Sequence, residues 1–243
     1  EVATVIELFN TSINIHSLKE RDITIDDCLN ELYRSTVVVK NLTQHDHIWY
    51  LTGYSRKDAS KHVVFSDNEP NQNTIDTFER HYKKNRPLIN ESIWNGQPDG
   101  LACSISHFMK FIDNPKKINL IIDIDQRVAN TSDMIDSLLL LAEENNNSWI
   151  KVDSKGYWRN DSNVFPDRVY VGWMLYMPHI LLPELIPEAA KIVPVFEGEK
   201  QKGTIVVSTE DVFDGNNKEH IGKANDIEIR LLDLGLLPLL TEL

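Results

Sequence analysis

The residues best suited to chemistry are Asp123 and Asp125, which close the apolar run of IIDIDQR. At a strand exit, the first of two such carboxylates can attack phosphorus while the second protonates the leaving oxygen, with a magnesium ion screening both. A phosphatase built this way also wants Thr or Val two residues after the second carboxylate, and Arg127 stands there. A turn followed by the start of a helix is the plainer use of Asp-x-Asp, and the expected one. His45, Asp46 and His47 are metal-ligand types, but adjacent ligands need a third group from elsewhere and none has ligand spacing, so a surface loop is expected. The run from His81 to Arg86 is a small basic cluster at a helix end, where positive charge complements exposed carbonyls. There is no G-x-S-x-G, Walker A or G-x-G-x-x-G motif, and no Ser, Cys or Thr shows local signs of activation. Neither a metal nor a cofactor is expected.

The better candidate is a binding segment, Asp153–Asp167, DSKGYWRNDSNVFPD. It places Tyr157, Trp158 and Arg159 together, with Asp161 and Asp167 beside them. Tyr, Trp and Arg dominate binding energy at protein interfaces, and flanking carboxylates steer a basic partner. The competing role is a hairpin whose aromatics fold back onto the sheet, Trp158 first. Bulk charge agrees with a basic partner: 37 Asp and Glu stand against 25 Lys and Arg, a net of −12 that repels nucleic acid and anionic membrane. The same excess also serves solubility.

A chain of 243 residues with 41% hydrophobic and 26% charged content buries a real core as an ordinary soluble protein does. No run is long enough to span a bilayer, and EVATVIELFN lacks the basic and apolar parts of a signal segment, so a cytoplasmic location is expected. Cys28 and Cys103 are expected as reduced core thiols rather than a bridge.

Among the elements, Arg168–Pro194 dominates the apolar pattern. From Val169 to Met177 both alternating sets are apolar or aromatic, which predicts a central strand covered on both faces. Gly172 weakens that strand unless a backbone or ring lies close. Pro178 ends it, and Pro183 opens a short helix over Glu184–Ala190. Before this segment, Val2–Ile15 reads as a strand broken near Asn10–Ser12. Thr24-x-x-Asp27 caps a helix with Ile25, Leu29, Leu32, Tyr33 and Thr36 on one face, weakened towards its end by Val37–Val39. Strands follow at His47–Tyr54 and His62–Phe65, then a helix capped by Asn73 and carrying Ile75, Phe78 and Tyr82. Lys116–Asp125 is a strand with Leu120, Ile121, Ile122 and Ile124 buried, and Thr131 or Ser132 caps the next helix. Trp149–Val152 and Gly203–Ser208 are further strands. Asn217 caps a last helix carrying Ile221, Ala224, Ile227, Leu231 and Leu234, which Gly235 stops. Without strict βα alternation, the expected class is α+β, with a mostly antiparallel sheet or sheets and helices packed on them. One domain over residues 1–243 is expected, with similar sub-domains at 1–115 and 116–243 as the alternative division.

VGWMLYMP, PEAAKIVPV, KGTIVVST and ANDIEIRLLDLGLLP, with WYLTGYSRKDA and WNG in the first half, resemble the bacterial immunity protein 52 family over nearly the whole chain. The resemblance implies an α+β, non-enzymatic antidote of polymorphic-toxin or type VI secretion loci. Its implied partner is a toxin nuclease of the restriction-endonuclease fold. It also implies characteristic tryptophans in structural roles, here Trp49, Trp94 and Trp173, and it carries over no functional site. A nuclease site is basic in order to hold phosphates, so an acidic antidote complements it. The rival readings are a magnesium-dependent phosphatase of the haloacid-dehalogenase class using Asp123 and Asp125, and a scaffold for another basic partner.

Overall fold

The computed structural model describes residues 10–111, 115–145 and 147–243. Positions 2–9 of the expected first strand, Asn114 at the sub-domain division and Asn146 lie outside the described residues. Along the chain run β1 (Thr11–Lys19), α1 (Ile25–Thr43), β2 (Tyr50–Leu51), α2 (Arg56–Ala59), the short hairpin of β3 (Phe65–Ser66) and β4 (Glu69–Pro70), and α3 (Gln72–Asn85). Next come β5 (Glu91–Trp94), β6 (Cys103–Phe111), β7 (Lys116–Ile124), α4 (Thr131–Glu144), β8 (Trp149–Ser154) and β9 (Met174–Met177). β10 (Lys191–Glu197), β11 (Lys200–Val207) and α5 (Lys218–Asp233) follow. Nine strands form one antiparallel sheet in the order β10-β11-β9-β8-β1-β7-β6-β5-β2, so the architecture is α+β, a mostly antiparallel sheet with helices packed on it. Strands from residues 1–115 and from residues 116–243 hydrogen-bond to one another at β1–β7, β1–β8 and β6–β7.

Local signals set several helix starts. The Thr24 hydroxyl accepts from Asp27 N at 3.1 Å while Thr24 N donates to the Asp27 carboxylate at 2.8 Å, the reciprocal box that the spacing predicts. Beyond it, α1 continues through Val37–Val39 to Thr43, because burying Val38 and Val39 outweighs the small helical penalty of β-branching. Asn217 caps α5 as expected, and Gly235 at φ +70 follows its end. The cap of α3 is Asn71 rather than Asn73. That of α4 is Asn130, whose Oδ1 accepts from Asp133 N at 2.8 Å, rather than Thr131 or Ser132.

The segment Val169–Met177 departs from expectation. Only Met174–Met177 is strand, and it lies third from one edge, while β1 occupies the middle of the sheet. Gly172 takes φ +53 and bridges to Val152, with no room for a Cβ, which would stand 2.7 Å from Val152 O. This left-handed residue breaks the alternation. Val169, Val171, Leu175 and Met177 enter one core cluster; Tyr170, Trp173, Met174 and Tyr176 enter the other. Both sides are buried as expected, but Trp173 joins Tyr170 and Met174, whereas strict alternation would place it with Val171 and Leu175. The helix expected over Glu184–Ala190 is only a 3-10 turn, Pro183–Leu185. The residues after it form the edge strand β10, where Pro194 is tolerated. His47–Tyr54 keeps strand pairing only at Tyr50–Leu51, and His62–Phe65 only at Phe65 and a Val63–Tyr50 bridge.

The two faces of the sheet differ. Ile13, Ile15, Ile105, Met109, Leu120, Ile122, Ile124 and Ile150 are buried in the cluster shared with α1 and α4. Of the opposite set on β1, β6 and β7, Ser12, Asn14, Ser104, Ser106, Phe108, Ile121 and Asp123 are half-buried or exposed, whereas His16 and Asn119 at the other end are buried. Ile121, expected to be buried, belongs to this second set because it alternates with Leu120 and Ile122. Further along the same face, Leu175, Met177 and Val206 are closed off by Ile227 and Leu231 of α5. Antiparallel sheets tolerate one wet face in this way.

Candidate functional site

β8 delivers the segment Asp153–Asp167 to the border of the wet face. Tight turns shape it: Asn160 N donates to Gly156 O at 2.8 Å, Asp161 N to Trp158 O at 3.0 Å, and Ser162 N to Tyr157 O at 3.0 Å. Its far end is pinned by Leu240 N, which donates to Asp167 O at 2.9 Å.

The structure separates the five residues expected to bind. Tyr157 is 0% exposed and packs edge-on against Phe213, with ring centroids 5.5 Å apart. Trp158 is 50% exposed, and Arg159, Asp161 and Asp167 are exposed. The fold-back foreseen for Trp158 therefore falls on Tyr157.

What draws Tyr157 inward is Glu228 of α5, itself 1% exposed. Its carboxylate accepts from the Tyr157 hydroxyl at 2.9 Å, from Val164 N at 3.1 Å and from Val171 N at 3.0 Å. Burial pushes the Glu228 carboxyl above its ordinary value, against the pull of these donors, and burial likewise pushes the Tyr157 phenol up. One buried carboxylate thus ties α5 to three points along residues 157–171. Sequence reasoning missed Glu228, although its position four residues after Ala224 and three before Leu231 places it on the buried stripe of α5.

Trp158 has a firm base. It stacks on the buried Tyr170 at 6.4 Å and 22°, and the Lys151 ammonium lies 4.7 Å from the centre of that Tyr170 ring. Burial, helped by the charge of Lys110, draws the Lys151 ammonium down to about 8. Trp158 N donates to Asp153 Oδ2 at 3.2 Å. Burial raises the Asp153 carboxyl, against the Trp158 N–H.

Asp123 and Asp125 sit on the wet face, Asp123 beside Ser12 of β1 and Ser104 of β6. Burial raises the Asp125 carboxyl, and the charges of Asp99 and Asp123 push it the same way. Both neighbours of β7 are antiparallel to it, unlike the βα units of the phosphatase pattern. Among the described residues, no group of three or more His, Cys, Asp and Glu is placed to hold a metal ion. His45, Asp46 and His47 line a separate cavity of about 340 Å3. There Asp46 pairs with Lys40 at 2.6 Å, and the His47 nitrogens lie 2.9 Å from Thr43 Oγ1 and 3.3 Å from Asn95 Nδ2. His81 Nδ1 lies 2.8 Å from Glu91. Cys28 and Cys103 are both free and buried. Trp49 and Trp173 are buried, whereas Trp94 is half-buried on the wet face.

The α+β sheet thus has one wet face, bordered by a braced aromatic loop. The chain belongs to the Immunity protein 52 family, whose model matches residues 18–240. That membership points to toxin neutralisation and to a cognate toxin as partner. Among curated proteins, nothing matches the chain. No helix among the described residues is long and apolar enough to cross a membrane.

Proposed function

We propose that this chain is a cytoplasmic antidote that binds the nuclease domain of a secreted toxin and blocks it by occlusion, with no chemistry of its own. The toxin is a restriction-endonuclease-fold nuclease delivered by a type VI secretion or other polymorphic-toxin system. The observation that carries the reading is membership of the immunity family in a chain of net charge −12, since a nuclease groove is basic. Trp158, Arg159, Asp161 and Asp167 form the partner-facing edge, and the buried Tyr157 holds that edge in place. A braced aromatic costs little ordering entropy on binding, and its burial slows dissociation. Acidic flanks speed association, which matters when one free toxin molecule does damage.

The test is co-expression with the toxin encoded beside this chain's gene. Cells carrying the wild-type chain survive; Asp161→Lys with Asp167→Lys lowers survival and slows association of the purified pair. Full lethality beside the wild-type chain, or turnover of a substrate by the purified chain, removes the reading.

A further inference from the structure

Three carboxylates from different parts of the chain meet at one recess of about 290 Å3 on the wet face, lined by Ser12, Asp123, Asp125, Asp153, Gly156 and Arg159 among others. Strand register brings them there. Ser12 of β1 pairs with Asp123 on one side and Asp153 on the other, so the two carboxylates flank a small hydroxyl floor. Two strand spacings separate them by about 10 Å at the backbone. Asp125 lies two residues beyond Asp123, towards the same face.

Two further observations mark the recess as unfilled in its chemistry. Asp153 is 7% exposed, and its Oδ1 has no hydrogen-bond partner of good geometry among the described residues; Oδ2 accepts from Trp158 N, and the N–H groups of Ser154 and Tyr157 also act on the carboxyl. A buried carboxylate oxygen without a donor is costly and is normally paired. Arg159 is the one cation lining the recess; it faces three carboxylates and, among the described residues, closes no ion pair within 4 Å on any of them. Within the lining three carboxyl groups stand against one cation, and Lys151 of β8 adds its charge near Asp153.

We propose that the recess between Asp123, Asp125 and Asp153 is the socket that receives a basic side chain of the bound toxin, arginine by its reach. This deepens, and rests on, the reading of the chain as a toxin antidote. A metal ion needs its oxygens within about 2.0–2.6 Å of one point, whereas these carboxylates form no such group. A guanidinium is flat, carries five N–H donors directed to several sides, and pairs with carboxylates on more than one of them. The socket adjoins the loop backbone at Trp158, whose N–H donates to Asp153.

The test uses the intact chain and the toxin domain encoded beside its gene, with affinity measured by calorimetry. Asp123→Asn with Asp125→Asn removes two charges without touching the braced loop. Glu219→Gln with Asp226→Asn, on the exposed side of α5, removes two charges elsewhere. The recess variant is expected to weaken binding at least tenfold, mostly through faster dissociation, and the α5 variant less than twofold. Asp123→Lys is expected to recover binding to a toxin in which one arginine is changed to glutamate. Absence of binding between the wild-type chain and the toxin removes the antidote reading itself. Tight wild-type binding, with the recess variant unchanged in melting temperature and within twofold in affinity, overturns the socket and leaves that reading standing.

Discussion

The Tyr157 hydroxyl lies 2.9 Å from both carboxylate oxygens of Glu228, across 71 residues of chain. The bond reaches from the loop after β8 to the middle of α5, and the same carboxylate holds the backbone at Val164 and Val171. Tyr157→Phe deletes one donor and leaves a buried carboxylate short of a partner. The expected cost is about 1.5–3 kcal/mol, the range for hydrogen bonds to charged groups. Urea unfolding measures it, and limited proteolysis should show earlier cleavage within residues 158–167.

Glu228 also gives a pH signature. Burial raises its folded pKa, so the native state holds that proton more firmly than the unfolded chain does. Its contribution is complete below the ordinary glutamate value and is lost as pH rises through the raised value. Glu228→Gln has no such loss. The stability advantage of wild type over this variant should therefore shrink as pH rises above the ordinary glutamate range, read by thermal melting over a pH series.

His16 has the opposite sign. Burial, followed by the charges of Lys151 and Lys110, holds its imidazole down to about 3. The neutral ring is favoured in the fold, so its contribution is full above the ordinary histidine value of 6.5 and is lost as pH falls towards 3. Across that window the wild type should lose stability faster than His16→Asn, by up to about 1.4 kcal/mol per pH unit. Parallel curves for the two proteins would show that His16 does not titrate there.

At Gly172 the chain turns left-handed against the carbonyl of Val152. Gly172→Ala adds left-handed strain and a methyl group 2.7 Å from Val152 O, so a loss of at least about 2 kcal/mol is expected. Chemical denaturation measures it.

Trp158 should separate binding from folding. Half of its surface is exposed, so Trp158→Ala should change stability by less than about 1 kcal/mol. Toxin affinity should fall at least tenfold, about 1.4 kcal/mol. An unchanged dissociation constant would remove Trp158 from the interface.

Features encoded by neighbouring residues were legible in advance. The Thr24–Asp27 box, the Asn217 cap, the apolar stripe of α5 and the acidic balance each depend on local spacing or on a plain sum of charges. The α+β class and the family likeness follow from the same near-neighbour patterns. Contacts between distant residues were not legible, because strand register and pairing decide them. Asp123 and Asp153 share a recess only because β1 lies between their strands with Ser12 opposite both. Which of two adjacent aromatics turns inward at positions 157 and 158 depends on a carboxylate on α5, and no pattern within the loop names it. One left-handed residue at 172 sends Trp173 to the other side of the sheet, which an alternation of apolar letters does not reveal. Composition and periodicity determined the kinds of element and the sign of the surface. Tertiary structure decided which side chains meet, because the energy of each such contact exists only once long-range pairing has brought its partners together.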